Sequence, residues 1–432
     1  MSNSKGTDLI VVGAGLAGLS AAIFAARLGM RVVVLERGAD AGGRARSTEK
    51  DGFWFNLGPR ALYPPAAAIL DELGVPFSGK VPPLTGYVLA DRGLYPLSPM
   101  AGGLEAMLAA PPFTGSSGLA AGRALGELLS TAPATIADQT LAAWVTHHTD
   151  DDRARQLVFA LVRLAGYIDA PDLLSAAAAQ AQMLEAIAGV RYLDGGWQTI
   201  VDGLLTMIEE LGVEIRSRSR AIGLVLGSSG VKGVTLSGGE SLQAPNVILA
   251  ADPLTARGIL ASAGAGIPPT TPVRAAVLDL ALTQLPNPEG EFILSLDRPL
   301  YLSVHSVAAR LAPGSGALVH VALYLHPDEK ADADVRGELE WLLDQVQPGW
   351  RDLLVHSRFL PDITVTHALP EARTGGLQGR PAVAVDGLPG AFLAGDWVGD
   401  EHQLAAAAIA SARRAVNLAS VRGAPSLAGV AV

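Results

Sequence analysis

The stretch LIVVGAGLAG, residues 9–18, decides the fold of this 432-residue chain. Its first half is apolar and β-branched, which predicts a buried strand, and the alanine-rich pattern that follows predicts a helix over 16–28. A second apolar run, RVVVLE at 31–36, completes a β-α-β unit. Such units build parallel sheets, so the sequence predicts an α/β fold.

The turn inside this stretch carries the residue pattern of a dinucleotide-binding site. It consists of Gly13, Ala14, Gly15, Leu16, Ala17 and Gly18. The glycines let backbone N–H groups at the helix start approach a pyrophosphate, whose charge the helix N-terminus stabilises. Glu36, at the end of the second strand, is positioned to accept hydrogen bonds from a ribose diol. Because its carboxylate would repel a 2′-phosphate, NADP is disfavoured.

Composition excludes several other kinds of site. With 32 Lys and Arg against 42 Asp and Glu, the chain has a net charge of −10, which argues against nucleic-acid binding. It contains no cysteine, so disulfides, cysteine-ligated metals, thiol nucleophiles and a cysteine-linked flavin are excluded. The histidines lack metal-ligand spacing, and no metal site is predicted.

Two apolar segments raise the question of membranes. The uncharged run at 9–26 is interrupted by glycines and fits a strand, turn and helix better than a membrane span, so a cytoplasmic location is expected. The segment at 94–112 is broken by proline and glycine. It is expected to line a buried tunnel, with peripheral contact to a membrane surface as the alternative.

The rest of the chain alternates between helical and β-rich sections. The pattern from 69 to 189 is mostly helical, and short β-rich stretches follow over 213–250. A second β-rich section covers 274–325. The C-terminal part predicts a strand at 391–394 and a helix at 403–418.

A second glycine pair follows in GGRARS, residues 42–47. Its glycines let the backbone pass close to a cofactor, and the Arg44 guanidinium can offset phosphate charge, although a solvated arginine loop is the alternative. Together with the turn at 13–18, this segment resembles flavoproteins with the glutathione-reductase-like FAD fold. The branch it is similar to contains phytoene desaturases, protoporphyrinogen oxidases and flavin amine oxidases.

The resemblance continues through DGFWFNLGPR (51–60), YLDGGWQTIVDGL (192–204) and FLAGDWVGDEHQL (392–404). In that family these segments place a Gly-Pro turn beside the flavin, a Gly-Gly helix entry, and an Asp at the ribityl chain or pyrophosphate. A helix start then points its N-terminal dipole at the flavin pyrimidine. Beyond the turn at 13–18 and Glu36, the resemblance implies FAD contacts at Arg37, Gly43, Arg44, Gly58, Pro59, Arg60, Ala221, Gly395, Asp396, Gln403 and Leu404.

The order of these motifs implies two discontinuous domains, each built from separate segments of the chain. A Rossmann-type FAD-binding domain is expected from residues 1–75, 190–265 and 375–432. An interleaved α+β substrate domain is expected from 76–189 and 266–374, with the active site at the junction over the flavin.

The resemblance implies an FAD-dependent oxidoreductase that takes a hydride from a small, largely apolar substrate, isoprenoid or carotenoid-like. Its electron acceptor is open between oxygen and a quinone, no catalytic residue is assigned, and no oligomeric state is predicted. The chain is shorter than expected for carotenoid desaturases, which puts a long tunnel in doubt.

Three alternatives stay open. A protoporphyrinogen oxidase would need arginines for propionates, for which Arg163, Arg310 and Arg358 are available. A flavin amine oxidase is disfavoured because the few lysines lie in tail, loop or charged contexts. A non-catalytic prenyl-lipid-binding protein, like the Rab GDP-dissociation inhibitors, should have eroded FAD motifs, whereas Glu36, Arg44 and Asp396 are all present.

Overall fold

A computed structural model of the chain describes residues 6–97, 107–108, 110–113, 115–329 and 334–423. The middle of the 94–112 segment lies outside these ranges, so its tunnel or membrane role stays a prediction. Within the described ranges, no helix has both the length and the apolar character needed to cross a membrane.

The described helices carry the labels α1 to α10 in chain order. They are α1 (Leu16–Arg27), α2 (Pro64–Leu73), α3 (Ser116–Ser130), α4 (Leu141–His148), α5 (Asp152–Gly166), α6 (Ala176–Ile187), α7 (Gln198–Glu210), α8 (Pro253–Ala261), α9 (Val335–Val346) and α10 (Leu404–Gly423).

The described strands carry the labels β1 to β19. They are β1 (Leu9–Val12), β2 (Val32–Leu35), β3 (Thr48–Lys50), β4 (Phe53–Phe55), β5 (Gly79–Lys80), β6 (Gly86–Ala90), β7 (Gly93–Pro96), β8 (Tyr192–Leu193), β9 (Glu214–Arg216), β10 (Ala221–Gly227), β11 (Gly230–Leu236), β12 (Ser241–Gln243), β13 (Asn246–Leu249), β14 (Val273–Leu282), β15 (Phe292–Ser295), β16 (Leu300–Val304), β17 (Ala317–Leu325), β18 (Leu354–Thr366) and β19 (Ala391–Leu393).

A five-stranded parallel sheet, in the order β19-β13-β1-β2-β9, confirms the predicted α/β fold. Its central strand β1 is buried along its whole length, because neighbouring strands cover both edges and helices cover its faces. The sheet contains strands from the beginning, the middle and the end of the chain, as a discontinuous domain requires. The predicted domain boundaries themselves stay a prediction.

A close approach of backbone segments holds α1 onto this sheet. A Cβ atom on Gly18 would lie 1.8 Å from the Gly13 carbonyl oxygen and 3.4 Å from Cβ of Ala250, which follows β13. Gly13 has φ +106°, and its Cβ would lie 2.4 Å from the Ala250 carbonyl oxygen. Only glycine fits at these two positions, so the turn between β1 and α1 is held tightly.

A seven-stranded mixed sheet, in the order β18-β14-β17-β16-β15-β6-β7, forms the second large layer. Alternate residues of its strands face opposite sides, as the period of two requires. Ala275 and Val277 of β14 pack toward the helices between 116 and 187, whereas Leu278 and Leu280 pack with α9. The sheet is therefore covered on both faces.

Most of the regular structure described between 69 and 189 is helical, as predicted, but the strands β5, β6 and β7 lie in this range too and were not predicted. The hairpin between β6 and β7 turns at Asp91 and Arg92, whose φ angles are +49° and +62°. Both angles are typical of a type I′ turn, for which Asn-Gly is the recognisable sequence. The Asp-Arg pair gave no such signal, and the hairpin was missed.

The 13-residue strand β18 was also not predicted. Among the described strands it pairs only with β14, at the edge of the sheet, and it contains Pro361. Proline is tolerated at an edge because its missing N–H can face away from the ladder. Proline and interspersed charged residues hid the strand in the sequence, yet its end reaches the candidate site described below.

We expect Gly18→Ala to lower the free energy of unfolding by about 1–3 kcal/mol, because the added methyl group has no space between α1 and β1. The matched control is Gly126→Ala in α3, where a Cβ meets nothing within 4 Å. That change should stabilise the protein by about 0.5–1 kcal/mol. Urea unfolding of both variants tests this, and equal effects would contradict the packing described for Gly18.

Candidate functional site

A cavity of about 460 Å³ opens at the carboxyl ends of the parallel strands. Gly13 follows β1, Glu36 follows β2, Ala250 follows β13 and Gly395 comes shortly after β19, and all four line this cavity. Parallel α/β sheets bind ligands where the strand order reverses, and here that point lies between β1 and β13.

Most of the predicted site residues lie together in this cavity. Those that line it are Gly13, Gly15, Leu16, Ala17, Glu36, Arg37, Gly43, Arg44, Pro59, Arg60, Ala221, Gly395, Asp396 and Leu404. Segments far apart in the chain therefore meet as the sequence predicted. The assignment of each residue to a particular part of FAD stays a prediction.

Four predicted residues do not line the cavity, although each lies next to one that does. The Ala14 N–H donates to Glu36 Oε2 at 2.9 Å. Gly18 packs α1 onto the sheet, and a Cβ on Gly58 would lie 2.9 Å from Ile363 Cδ1. The Gln403 side chain is buried and donates through Nε2 to the Ala178 carbonyl oxygen at 2.9 Å. Gly18 and Gln403 hold neighbouring segments in place, and direct contact of these four residues with FAD stays a prediction.

The turn at Gly15 fits a phosphate group. A Cβ on Gly15 would meet no atom of the described residues within 4 Å, although the residue lines the cavity. Glycine is therefore not required there by protein packing, but it leaves the backbone open to a close ligand. Gly15 is also the N-cap of α1 and provides no side-chain cap, so N–H groups of the first helical turn are available to an anion.

Glu36 is held in place by two backbone donors. Its Oε2 accepts from Ala14, and its Oε1 accepts the Gly38 N–H at 2.6 Å. Each carboxylate oxygen has a further lone pair, which a ribose hydroxyl can use. The two backbone bonds fix the carboxylate at the cavity wall, and its role at a ribose stays a prediction.

Arg44 and Asp396, which both line the cavity, form an ion pair with Nη2 and Oδ2 2.7 Å apart. Arg44 also donates to the Val365 carbonyl oxygen of β18 at 2.8 Å, and its Nη2 lies 3.0 Å from His367 Nδ1. His367 Nδ1 in turn lies 3.1 Å from Asp396 Oδ1. Arg44 therefore joins three segments of the chain, a role that its sequence context did not reveal.

Opposing effects act on the pKa of Asp396. Burial acts to raise it, but the charge of Arg44 and the hydrogen bonds from His367 and Arg44 outweigh burial. The net result is a pKa well below the usual 3.8, so the side chain is a carboxylate at neutral pH.

Arg60 lines the cavity, and its guanidinium has no hydrogen-bond acceptor among the described residues. Its side chain makes no hydrogen bond or ion pair with the described residues, and its Nε is buried without a partner. The guanidinium lies over the Trp197 ring, 5.5 Å from the centroid. Burial, and then the nearby charge of Arg44, lower its pKa to about 10, so it still carries its proton at neutral pH.

The opposite wall of the cavity comes from the seven-stranded sheet and is largely apolar. It contains Ala275 and Val277 of β14, Ala322 and Tyr324 of β17, and Ile363 of β18. Sequence analysis assigned none of these residues to the site. Each has the pattern of an ordinary core strand, and only the pairing of three distant strands brings them together.

Two tyrosines complete this apolar wall. Tyr167, with φ +61°, ends α5, and its ring lies 6.4 Å from that of Tyr324. Burial raises the pKa of both hydroxyl groups above the usual 10.0. They therefore remain protonated at neutral pH and cannot serve as bases there.

The three arginines considered for propionates do not line the cavity. Arg163 pairs with Asp169 at 2.9 Å, and Arg358 binds Asp279. The Arg310 side chain is 83% exposed and lies 3.1 Å from an Asp194 oxygen. Because each already has an acidic partner away from the cavity, none supports a protoporphyrinogen-like site.

A profile of the family described as flavin containing amine oxidoreductase matches residues 16–419. The carotenoid 3,4-desaturase of Haloarcula japonica is 49% identical over 59 residues, which cover 14% of this chain and only 12% of that curated relative. A solved oxidoreductase structure from Methanosarcina mazei matches with a TM-score of 0.72 at 17% identity, covering 94% of this chain and 100% of that one. Cyclohexylamine oxidase of Brevibacterium oxydans matches with a TM-score of 0.71 at 16% identity, covering 97% and 100%. The two structures show the shared fold.

We expect Glu36→Ala to weaken FAD binding by about tenfold or more, because hydrogen bonds to a charged group contribute about 1.5–3 kcal/mol. Glu210→Ala, at an exposed position of α7, removes the same charge away from the cavity and is the control. Titration of the FAD-free protein with FAD, followed by flavin fluorescence, measures both affinities. Equal affinities would remove Glu36 from the cofactor site.

The Asp396→Asn variant tests the ion pair. Near pH 7 it should lower the free energy of unfolding by about 1–3 kcal/mol, because Arg44 loses its charged partner. Arg44 is 33% exposed, so solvent screening favours the lower end of this range.

The pH dependence of this effect has a definite sign. The folded-state pKa of Asp396 lies below the usual 3.8. The carboxylate therefore makes its full contribution to the free energy of unfolding above pH 3.8, and this contribution is lost as the pH falls below 3.8. The difference between wild type and Asp396→Asn should therefore shrink between about pH 7 and about pH 3. Urea unfolding at both pH values measures it, and a constant difference would contradict the assignment.

Proposed function

The chain belongs to the family of flavin containing amine oxidoreductases, and within that family we propose that it acts as an FAD-dependent dehydrogenase or desaturase on a largely apolar organic substrate. The family match confirms the predicted flavin cofactor. What supports the proposal most is the composition of the cavity, which has a glycine-rich turn and a helix N-terminus at one end and an apolar wall at the other. FAD, when bound, supplies a ring that accepts a hydride.

Residues at the sheet end of the cavity would hold the cofactor. The N-terminus of α1 and the open backbone at Gly15 suit the pyrophosphate, and Glu36 suits the adenosine ribose. The N-terminus of α10, at Leu404, lies in the same cavity and favours negative charge. All of these segments are ones that the sequence motifs identified.

Residues of the apolar wall would bind the substrate. Ala275, Val277 and Ile363 present only aliphatic surface, which excludes water and gains free energy by covering an apolar molecule. An isoprenoid or carotenoid-like substrate fits this chemistry. The hydroxyl groups of Tyr167 and Tyr324 are neutral, so they would orient a substrate by hydrogen bonds without adding charge to the apolar wall.

The distribution of charge argues against a cationic amine. The acidic residues that line the cavity are Glu36, Asp252 and Asp396, and all three follow strands of the parallel sheet. Asp396 is engaged by Arg44, and the Glu36 carboxylate by backbone donors. Among the described lining residues, the apolar wall provides no carboxylate to pair with an ammonium group.

Anaerobic reduction of the bound flavin tests this function. The purified protein should be yellow, or become so with added FAD, and an apolar carotenoid precursor should bleach the flavin band. A panel that also contains protoporphyrinogen and primary amines separates the alternatives. Bleaching by amines alone would overturn the proposed substrate class, and a protein that binds FAD but is bleached by none of the panel would favour a non-catalytic lipid-binding role.

A Val277→Asp variant provides the matched test of the wall. A carboxylate placed on the buried apolar face should abolish bleaching by the carotenoid precursor, because an apolar molecule that covers an unpaired charge removes its hydration at a high cost in free energy. Val277→Leu keeps the wall apolar and should retain bleaching. The two variants should bind FAD alike, and equal bleaching rates would contradict the role of this wall.

A further inference from the structure

Arg60 carries a charge that the protein itself does not neutralise. Of the other arginines that line the cavity, Arg44 pairs with Asp396 at 2.7 Å, Arg37 lies 3.8 Å from Asp252, and Arg220 is exposed to solvent. Arg60 has neither an acidic partner nor a hydrogen-bond acceptor among the described residues. A largely buried, unpaired cation is costly, so the site calls for an anion from outside the chain.

The position of Arg60 separates it from the predicted phosphate site. It follows the Gly58-Pro59 turn, and Leu57 and Ala61 on either side of this segment also line the cavity. Its electrostatic neighbours include Asp396 at the cofactor end and Tyr167 on the apolar wall. Arg60 therefore lies where the two halves of the cavity meet, whereas the pyrophosphate site lies at Gly15 and the start of α1.

The Trp197 ring holds the guanidinium from one side. Its centroid lies 5.5 Å from Arg60 Cζ, and the indole is itself buried. A cation over an aromatic face is stabilised but keeps its in-plane N–H groups free. A planar guanidinium with free donors matches a carboxylate with two parallel hydrogen bonds.

We propose that Arg60 binds a carboxylate group of the substrate, which makes the substrate an apolar molecule with an acidic group. The apolar wall would cover the hydrocarbon part, and Arg60 would fix the end of the molecule and so its position along the flavin. This inference rests on the proposed function, because it assumes that the apolar wall is the substrate site.

Octanoate and 1-octanol are suitable probes, since they share a hydrocarbon chain and differ in charge. Each is titrated into the FAD-loaded protein, and the change in flavin absorbance reports binding. Wild type should bind octanoate more tightly than 1-octanol. Arg60→Gln should raise the dissociation constant for octanoate by about tenfold or more and leave that for 1-octanol within about twofold.

Two further variants serve as controls. Arg60→Lys keeps the charge but loses the planar pair of donors, so its affinity for octanoate should fall between those of wild type and Arg60→Gln. Arg310→Gln removes an arginine that is 83% exposed and outside the cavity, and it should bind octanoate as wild type does. If Arg60→Gln does not fold, the comparison of Arg60→Lys with wild type still decides the question.

The outcomes separate the inference from the proposed function. Unchanged octanoate binding in Arg60→Gln and Arg60→Lys would overturn the inference. Loss of FAD from Arg60→Gln, with no effect of octanoate on wild type, would also overturn it and assign Arg60 to the cofactor. Bleaching by neutral apolar substrates together with unchanged octanoate binding would leave the proposed function intact, whereas failure of wild type to bind FAD would remove the proposed function itself.

Discussion

The ion pair between Arg44 and Asp396 is the interaction on which the rest of the site depends. It connects the glycine-rich segment after β2 with the segment after β19, and Arg44 also donates to the Val365 carbonyl oxygen of β18. The beginning of the chain, its end and the edge of the seven-stranded sheet thus meet at one guanidinium. Because the carboxylate is buried, the pair also neutralises a charge that would otherwise oppose a phosphate-bearing ligand.

Around this pair the cavity divides into two chemically different halves. Backbone donors, the start of α1 and Glu36 occupy the end that suits a dinucleotide. Aliphatic side chains such as Val277 and Ile363 occupy the other end. Arg60 lies between them with no acceptor among the described residues. This division explains how a chain with a net charge of −10 can hold a phosphate-bearing cofactor.

The cofactor half could be predicted from sequence because its signals are local. The turn at 13–18 has a strand before it, a helix after it and an acid at a fixed distance, so each part supports the others. The apolar wall has no such signal, since Val277 and Ile363 look like ordinary strand residues. The edge strand β18 was missed because Pro361 and the charged residues Arg358 and Asp362 interrupt its apolar pattern, and the role of Arg44 at its carbonyl groups was missed with it.

A crystal structure of the protein with FAD bound tests the central claim most directly. The site geometry predicts the pyrophosphate at Gly15 and the N-terminus of α1, and the flavin ring facing the apolar wall at Val277. It also predicts open space between that ring and the wall, in which a substrate can lie, with Arg60 at the edge of this space. A pyrophosphate bound elsewhere, or a flavin ring whose exposed face points away from Val277, would contradict the account.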